Sequence, residues 1–148
     1  FRTQTLDRAK DALVKLLKDS DSRVRANALG SLYELWHDTG KDLRELLTLV
    51  SFLFDDSNSR VVADMAIYMS DLEPERCRTV VQNLLNHTTP QNIASGIYAA
   101  SKAFPELLRQ NMERLMSLKF QPVQKALIKF WQIDSLEAEE ITQMRRVG

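Results

Sequence analysis

Apolar residues recur along almost the whole chain at the three- and four-residue spacing of an amphipathic helix. The first apolar stripe consists of Leu6, Ala9, Leu13, Leu16 and Leu17, and the next of Val24, Ala28, Leu32 and Leu35. No stretch alternates between apolar and polar residues with the two-residue period of a half-buried strand. The pattern therefore predicts an all-α protein with almost no β structure.

Proline, glycine and short polar residues mark where these stripes begin and end. Proline is tolerated at the first position of a helix, because the N–H that it lacks would have no partner there. All four prolines stand at such starts: Pro74, Pro90, Pro105 and Pro122. Thr89 and Ser135 are N-cap candidates directly before apolar runs, and Gly40 follows a stripe as a C-terminal stop.

From these signals we expect nine helices joined by very short turns. They span about residues 5–18, 22–37, 41–54, 58–70, 74–86, 90–103, 105–118, 122–132 and 135–146. Short turns force neighbouring helices to pack antiparallel. The first eight helices are therefore predicted to form a run of helical hairpins.

The hairpins repeat along the chain, at about residues 5–37, 41–70, 74–103 and 105–132. Their second helices align on Val24, Val61, Ile93 and Val123, and an apolar residue follows four positions after each. The spacings between these aligned positions are 37, 32 and 30 residues. Repeats of this length indicate a stacked array, in which each unit buries its apolar face against the next. The uneven spacing leaves an irregular helical bundle as the alternative.

The first hairpin carries a family signature. Its turn and second helix have an acidic turn, a Val-Arg dipeptide and two later apolar residues: Asp19, Asp21, Val24, Arg25, Ala28 and Leu32. This pattern resembles a HEAT repeat. The second hairpin keeps the acidic turn and Val61 but has Val62 in the place of the arginine. The third and fourth have Ala94 and Gln124 there and lack the acidic turn.

The resemblance implies a right-handed α-solenoid of about four antiparallel helix pairs plus a C-terminal helix. In HEAT repeats the turn aspartate and the helix arginine often pair between neighbouring repeats, and only Arg25 can take that structural role here. The second helices of such an array line its concave face. Tetratricopeptide arrays are a weaker match, because Gly30 lies in a second helix and no Trp-x-x-Leu-Gly sequence occurs.

Composition narrows the functional classes. The 148 residues include 20 basic and 20 acidic ones, so the chain lacks the basic excess that is typical of nucleic-acid binders. No apolar run approaches the ~20 residues that span a bilayer. We expect one domain over residues 1–148, and the start at Phe1 suggests a fragment of a longer protein. A cytoplasmic location is the expectation.

No catalytic or metal-binding constellation can be recognised in the sequence. Cys77 is the single cysteine, and its spacing from Val80, Val81 and Leu84 directs it to the core. His37 stands at a helix end without a pattern of further metal ligands. The run from Asp55 to Asn58 lacks the glycine and glutamate of a calcium loop, so a helix cap is favoured there. We expect a non-enzyme without cofactor or metal.

A partner would contact the second helices on the side away from the core. We take eight residues of that surface as candidates for partner binding: Asn27, Glu34, Asp64, Tyr68, Asp71, Lys102, Lys125 and Lys129. Gly30, Gly96 and Ala99 are assigned to the same surface, and close helix packing is the favoured use of the small residues Ala26, Gly30, Ala63 and Ala99. Tyr33 and Tyr68 are either binding anchors or contacts between repeats, and the second use is favoured.

Charge changes sign along this surface. Residues 41–73 carry three basic and seven acidic residues, and residues 74–134 carry eight basic and four acidic ones. An acidic end and a basic end could orient a bipolar peptide or helix. The predicted function is therefore a non-catalytic scaffold that binds another protein or peptide, whose identity the sequence leaves open.

Two other functions remain open. Some HEAT-like solenoids are DNA glycosylases, for which Trp36, Trp131 and Asp64 could supply the aromatic and acidic groups. The zero net charge disfavours nucleic acid as a partner. The other alternative is a structural spacer or self-assembling segment, for which the polar run from Glu137 to Arg146 would cap one end.

Overall fold

The structure is a computed structural model that describes residues 2–131, with side chains for residues 5–130. It contains α1 (Arg2–Leu16), α2 (Ser22–Thr39), α3 (Leu43–Val50), a 3-10 segment (Ser51–Asp55), α4 (Ser59–Tyr68), α5 (Pro74–Leu85), α6 (Pro90–Ala103), α7 (Pro105–Ser117) and α8 (Gln121–Trp131). No strand occurs within residues 2–131. The predicted all-α class of helical repeats is confirmed.

The helix bounds agree with the sequence prediction, with one break. The predicted helix over residues 41–54 ends at Val50 and continues as the 3-10 segment. Tighter 3-10 turns are common at helix ends, and this one buries Leu53 and Phe54. The predicted helix 135–146, its cap Ser135, its polar run from Glu137 to Arg146 and residue 132 lie outside the described residues.

The chain divides within α5 into two compact units, Phe1–Val80 and Val81–Gly148. Each unit is described by itself below. The single domain and the right-handed course of the array stay predictions.

Side-chain caps and a glycine mark four of the helix ends. Asp21, Asp42 and Asn58 cap α2, α3 and α4, because each side-chain oxygen accepts a hydrogen bond from a backbone N–H two residues later. Gly40 ends α2 with a φ of 66°, in the left-handed region that glycine tolerates. Asn58 thus confirms the cap predicted for the run from Asp55.

Two start signals differ from the prediction. Thr89 is the N-cap residue of α6, but its side chain makes no capping hydrogen bond. Its backbone N–H instead donates to Nδ1 of His87 at 3.0 Å. Pro74, Pro90 and Pro105 open their helices, whereas Pro122 is the second residue of α8.

In the first unit, α2 packs against α1, α3 and α4. The core consists of apolar side chains from these helices, from the residues directly after α1 and α4, from the 3-10 segment and from the start of α5. Buried there are Leu17, Ala28, Leu29, Leu32, Trp36, Leu46, Val50, Leu53, Phe54, Val61, Ala63, Met65, Ala66, Met69 and Cys77. The predicted stripe of Ala28 and Leu32 and the inward direction of Cys77 are confirmed.

An ion pair joins the turns of the first two repeats. The Arg25 guanidinium donates from Nε and Nη2 to the two carboxylate oxygens of Asp56, both at 2.9 Å. Its Nη1 donates to the backbone oxygens of Asp19 at 2.9 Å and Ser20 at 3.2 Å. The side chains of Arg25 and Asp56 are only 13% and 7% exposed. The inter-repeat role that the resemblance implied for Arg25 is confirmed.

In the second unit, α6 packs against α7 and α8. Its buried face includes Ile93, Ile97 and Ala100. The end of α5 comes very close to α6, since a Cβ at Gly96 would lie 2.9 Å from both Leu84 Cβ and the Leu85 backbone nitrogen. Glycine is therefore required at this crossing.

A polar network ties α5 to α7 in the second unit. Gln82 and Asn111 exchange two side-chain hydrogen bonds at 3.1 Å. Arg114 donates from Nη1 to the Leu85 carbonyl at 3.1 Å and from Nη2 to Asn86 Oδ1 at 3.0 Å. Arg114 thus satisfies a carbonyl at the C-terminal end of α5, which otherwise lacks an intrahelical donor.

Candidate partner-binding surface

The candidate residues of the first unit fall into two groups. Asn27 and Glu34 on α2, and Asp71 just after α4, are exposed. Asp64 is less available, because its side chain is 13% exposed and lies 3.6 Å from Arg60 Nε in an ion pair. Tyr68 is half-buried. Exposed acidic groups therefore lie on α2 and beside α4, and the binding role of all five residues stays a prediction.

Tyr33 and Tyr68 contact each other between α2 and α4. Their rings stack with centroids 4.6 Å apart and planes 24° from parallel. The Tyr68 hydroxyl oxygen lies 3.1 Å from where a Cβ at Gly30 would stand. The favoured prediction that these tyrosines pack between repeats is confirmed, and Gly30 leaves room for the second ring.

The placement of Gly96 and Ala99 on the outward surface is wrong. Both residues are buried, and α5 covers Gly96 at the crossing described above. A helical pattern predicts which residues share a face, but not which neighbouring helix covers the flank of that face. Gly96 instead allows the close approach of α5 to α6.

The candidates of the second unit are basic and exposed. Lys102 lies on α6, and Lys125 and Lys129 lie one turn apart on α8. Lys129 Nζ lies 5.3 Å from the ring centroid of Phe130, which in turn packs against Tyr98 at 5.2 Å. Helix α8 contains no acidic residue. Its outer side therefore presents positive charge without compensation from its own sequence.

Beside these lysines is an apolar groove that sequence reasoning missed. It has a volume of about 380 Å³ and is lined by Met116 of α7 and by Gln124, Leu127 and Ile128 of α8. Ile128 is 47% exposed, which is high for a large aliphatic side chain. Ile128 could have indicated the groove, because this large apolar residue lies off the helix face that Val123 and Leu127 direct to the core.

The described side chains show no arrangement for catalysis or metal binding. No group of three or more His, Cys, Asp or Glu residues comes together within the described part of the chain. Burial raises the pKa of the Cys77 thiol to about 11, and the charge of Glu73 adds to the effect. His37 faces only Asp38 as an ionic partner, at 3.6 Å. Trp36 is 2% exposed.

None of the described helices is long and apolar enough to cross a membrane.

The chain matches a known protein family over most of its length. The family model for Cnd1, non-SMC mitotic condensation complex subunit 1, matches residues 2–144. This family is of the HEAT-repeat type, so the resemblance seen in the first hairpin is confirmed. No curated protein matches the chain, and no solved structure matches it either.

Proposed function

Because the chain belongs to the family of non-SMC mitotic condensation complex subunit 1, we propose that it is a non-catalytic scaffold that binds another protein of such a complex. The family match is the observation that carries this proposal. The exposed residues of the second helices and the segment after α4 supply the contact surface: Asn27, Glu34, Asp71, Lys102, Lys125 and Lys129. Asp64 and Tyr68 lie beside that surface and support it.

Electrostatics give this surface its selectivity. Exposed acids belong to the first unit, and the three exposed lysines belong to the second. Complementary charge steers encounter and disfavours partners of the wrong sign more than it adds affinity. The acidic residues of the first unit favour a basic segment of a partner, and the lysines of the second unit favour an acidic one.

Co-purification of the protein with the other subunits of its complex tests the proposal. The variants reverse charge on the proposed surface, Glu34→Lys with Asp71→Lys and, separately, Lys125→Glu with Lys129→Glu. The control reverses Asp11 and Lys15, which are exposed on the first helix α1. We expect each surface variant to recover several-fold less of the other subunits, and the control to recover the same amount. Full recovery with both surface variants would contradict the proposal.

A glycosylase has less support. A base-stacking tryptophan must be accessible, and Trp36 is buried. Asp64 is engaged with Arg60, and the Trp131 side chain lies outside the described part. A location inside the cell follows from the proposed membership of a mitotic condensation complex, and the cytoplasm remains the expected compartment.

A further inference from the structure

The groove between α7 and α8 is lined mainly by apolar residues and lies beside exposed lysines of α8, a helix without acidic residues. Gln124 and Ile128 form one stripe of α8, because residues four apart lie on the same helix face. The adjoining stripe consists of Lys125 and Lys129, both exposed. The inward stripe, with Val123 and Ala126, is buried. The stripe of Gln124 and Ile128 therefore lies between the buried stripe of α8 and its two lysines.

A further exposed apolar side chain lies just before the N-terminal end of α8. Phe120 is 42% exposed, and its carbonyl accepts a hydrogen bond from the Gln124 N–H at 3.0 Å. Along a helix axis, the distance from position 120 to position 128 corresponds to about 12 Å. That is about two turns of a second helix. Clustered exposed apolar side chains of this kind mark interaction sites more often than isolated ones do.

The charges around the groove select the sign of an occupant. Lys119, Lys125 and Lys129 are exposed on or just before α8, and Glu113, one turn before Met116 on α7, is the acidic residue nearest to the lining positions in the described sequence. A basic segment would be repelled here. A phosphate or nucleic acid would pair with the lysines, but it would bury no apolar surface against Ile128, Leu127 and Met116.

We propose that this groove binds an amphipathic helix of a partner protein whose apolar stripe is flanked by acidic side chains. An amphipathic helix that lays its apolar face in a hydrophobic groove is a recurrent mode of recognition. This inference rests on the proposed scaffold function and assigns a kind of partner to its basic part. Ile128 and Leu127 contact the apolar stripe of the helix, and Lys125 and Lys129 pair with its acidic flank.

Fluorescence anisotropy with the full 148-residue chain tests the inference. The probe is a labelled synthetic helix of about 18 residues, or five turns, with leucines at i, i+3, i+4 and i+7 and glutamates on both flanks. One control peptide replaces every glutamate by lysine, and another scrambles the order of the same residues. We expect binding of the glutamate peptide only. Equal binding of the lysine peptide would overturn the inference.

Variants of the chain locate the binding. Ile128→Gln and the pair Lys125→Glu with Lys129→Glu should each weaken binding about tenfold, which corresponds to about 1.4 kcal/mol. Gln110→Glu is the matched control, because Gln110 is exposed on α7 of the same unit and belongs neither to the groove lining nor to the proposed contact surface, and it should bind as the parent chain does. Unchanged circular dichroism shows that Ile128→Gln still folds. Equal affinity of Ile128→Gln and the parent chain would rule out the groove.

Other occupants give distinct results. If light scattering shows a dimer that Ile128→Gln dissociates, while the glutamate peptide fails to bind, the groove pairs two copies and the inference is wrong. If a short DNA duplex binds through the lysines and the peptide does not, phosphate is the ligand and the inference is also wrong. Either result leaves the co-purification test of the scaffold function unaffected.

Discussion

At the scale of single residues, two of the ion pairs differ in their exposure to solvent. Arg25 and Asp56 meet through two hydrogen bonds and lie largely out of solvent. Arg23 and Asp21 meet at 3.2 Å with side chains 87% and 41% exposed. Exposed pairs contribute little to stability, whereas removal of one partner from a buried pair leaves an uncompensated charge. Only the first pair is therefore expected to matter for folding.

Asp56→Asn tests this expectation. The new amide would place an NH₂ donor against the Arg25 guanidinium, which has no acceptor of its own. We expect a loss of about 2 kcal/mol in the free energy of unfolding, measured by urea denaturation. Arg23→Gln is the control and should show no measurable change. Equal effects of the two variants would contradict the assigned role of the buried pair.

Cys77 gives a second prediction for one residue. Its buried thiol has a pKa raised to about 11, so it should react with iodoacetamide at pH 8 only after urea unfolds the chain. The thiol pKa is higher in the folded chain than in the unfolded chain. Its contribution to the free energy of unfolding is therefore fully present below the unfolded-state pKa and is lost as pH rises towards about 11. In Cys77→Ala, the free energy of unfolding should fall less over this alkaline pH range. Rapid native labelling would show that the thiol is accessible.

At the scale of helices, local sequence signals predicted the starts and stops well. Periodicity, proline and glycine act within a few residues, so their effect can be seen without a structure. The 3-10 segment could not be predicted in this way, because burial of Leu53 and Phe54 depends on the surrounding helices. Thr89 has the right residue type for a cap, yet its hydroxyl makes no capping bond.

The two caps can be compared directly. The Asn58 side chain accepts hydrogen bonds from the Arg60 and Val61 N–H groups, at 2.9 and 3.3 Å. Asn58→Ala should therefore cost about 1 kcal/mol in thermal or urea unfolding. Thr89→Ala should cost clearly less, since no side-chain bond is lost. A larger loss for Thr89 would refute this ranking.

The crossing of α5 and α6 gives a prediction about packing. Gly96→Ala would bring a methyl group to 2.9 Å from the Leu85 backbone nitrogen, and backbone cannot move aside as a side chain can. We expect a loss of about 1–3 kcal/mol in unfolding free energy. Gly30→Ala is the comparison, because its closest contact is the Tyr68 hydroxyl at 3.1 Å. The gain in helix propensity, about 1 kcal/mol, should offset more of the cost there.

At the scale of the whole molecule, the net charge is zero, with 20 basic and 20 acidic residues. Phosphate contacts need a local excess of Lys and Arg and give binding a steep dependence on salt. We expect the chain to leave a duplex DNA fragment unshifted in a mobility assay at about 150 mM salt. A shift of the DNA fragment that weakens steeply as salt is added would instead favour the nucleic-acid alternative.

The candidate surface was predictable only in part. Sequence identified the exposed residues of the second helices, such as Glu34 and Lys125, because outward positions follow from helical periodicity. It misplaced Gly96 and missed the groove beside Ile128. Both depend on how closely two helices approach, which no spacing within one helix encodes.

The Arg25–Asp56 pair also bears on how such repeats can diverge. Loss of one partner of a buried pair is costly, whereas replacement of both is often neutral, so the two positions should mutate together. The later repeats agree with this. Val62 and Ala94 stand at the arginine position, and the turns inside the next repeats, residues 86–89 and 118–120, contain no aspartate. Departure from the HEAT signature is therefore expected to proceed by paired substitutions.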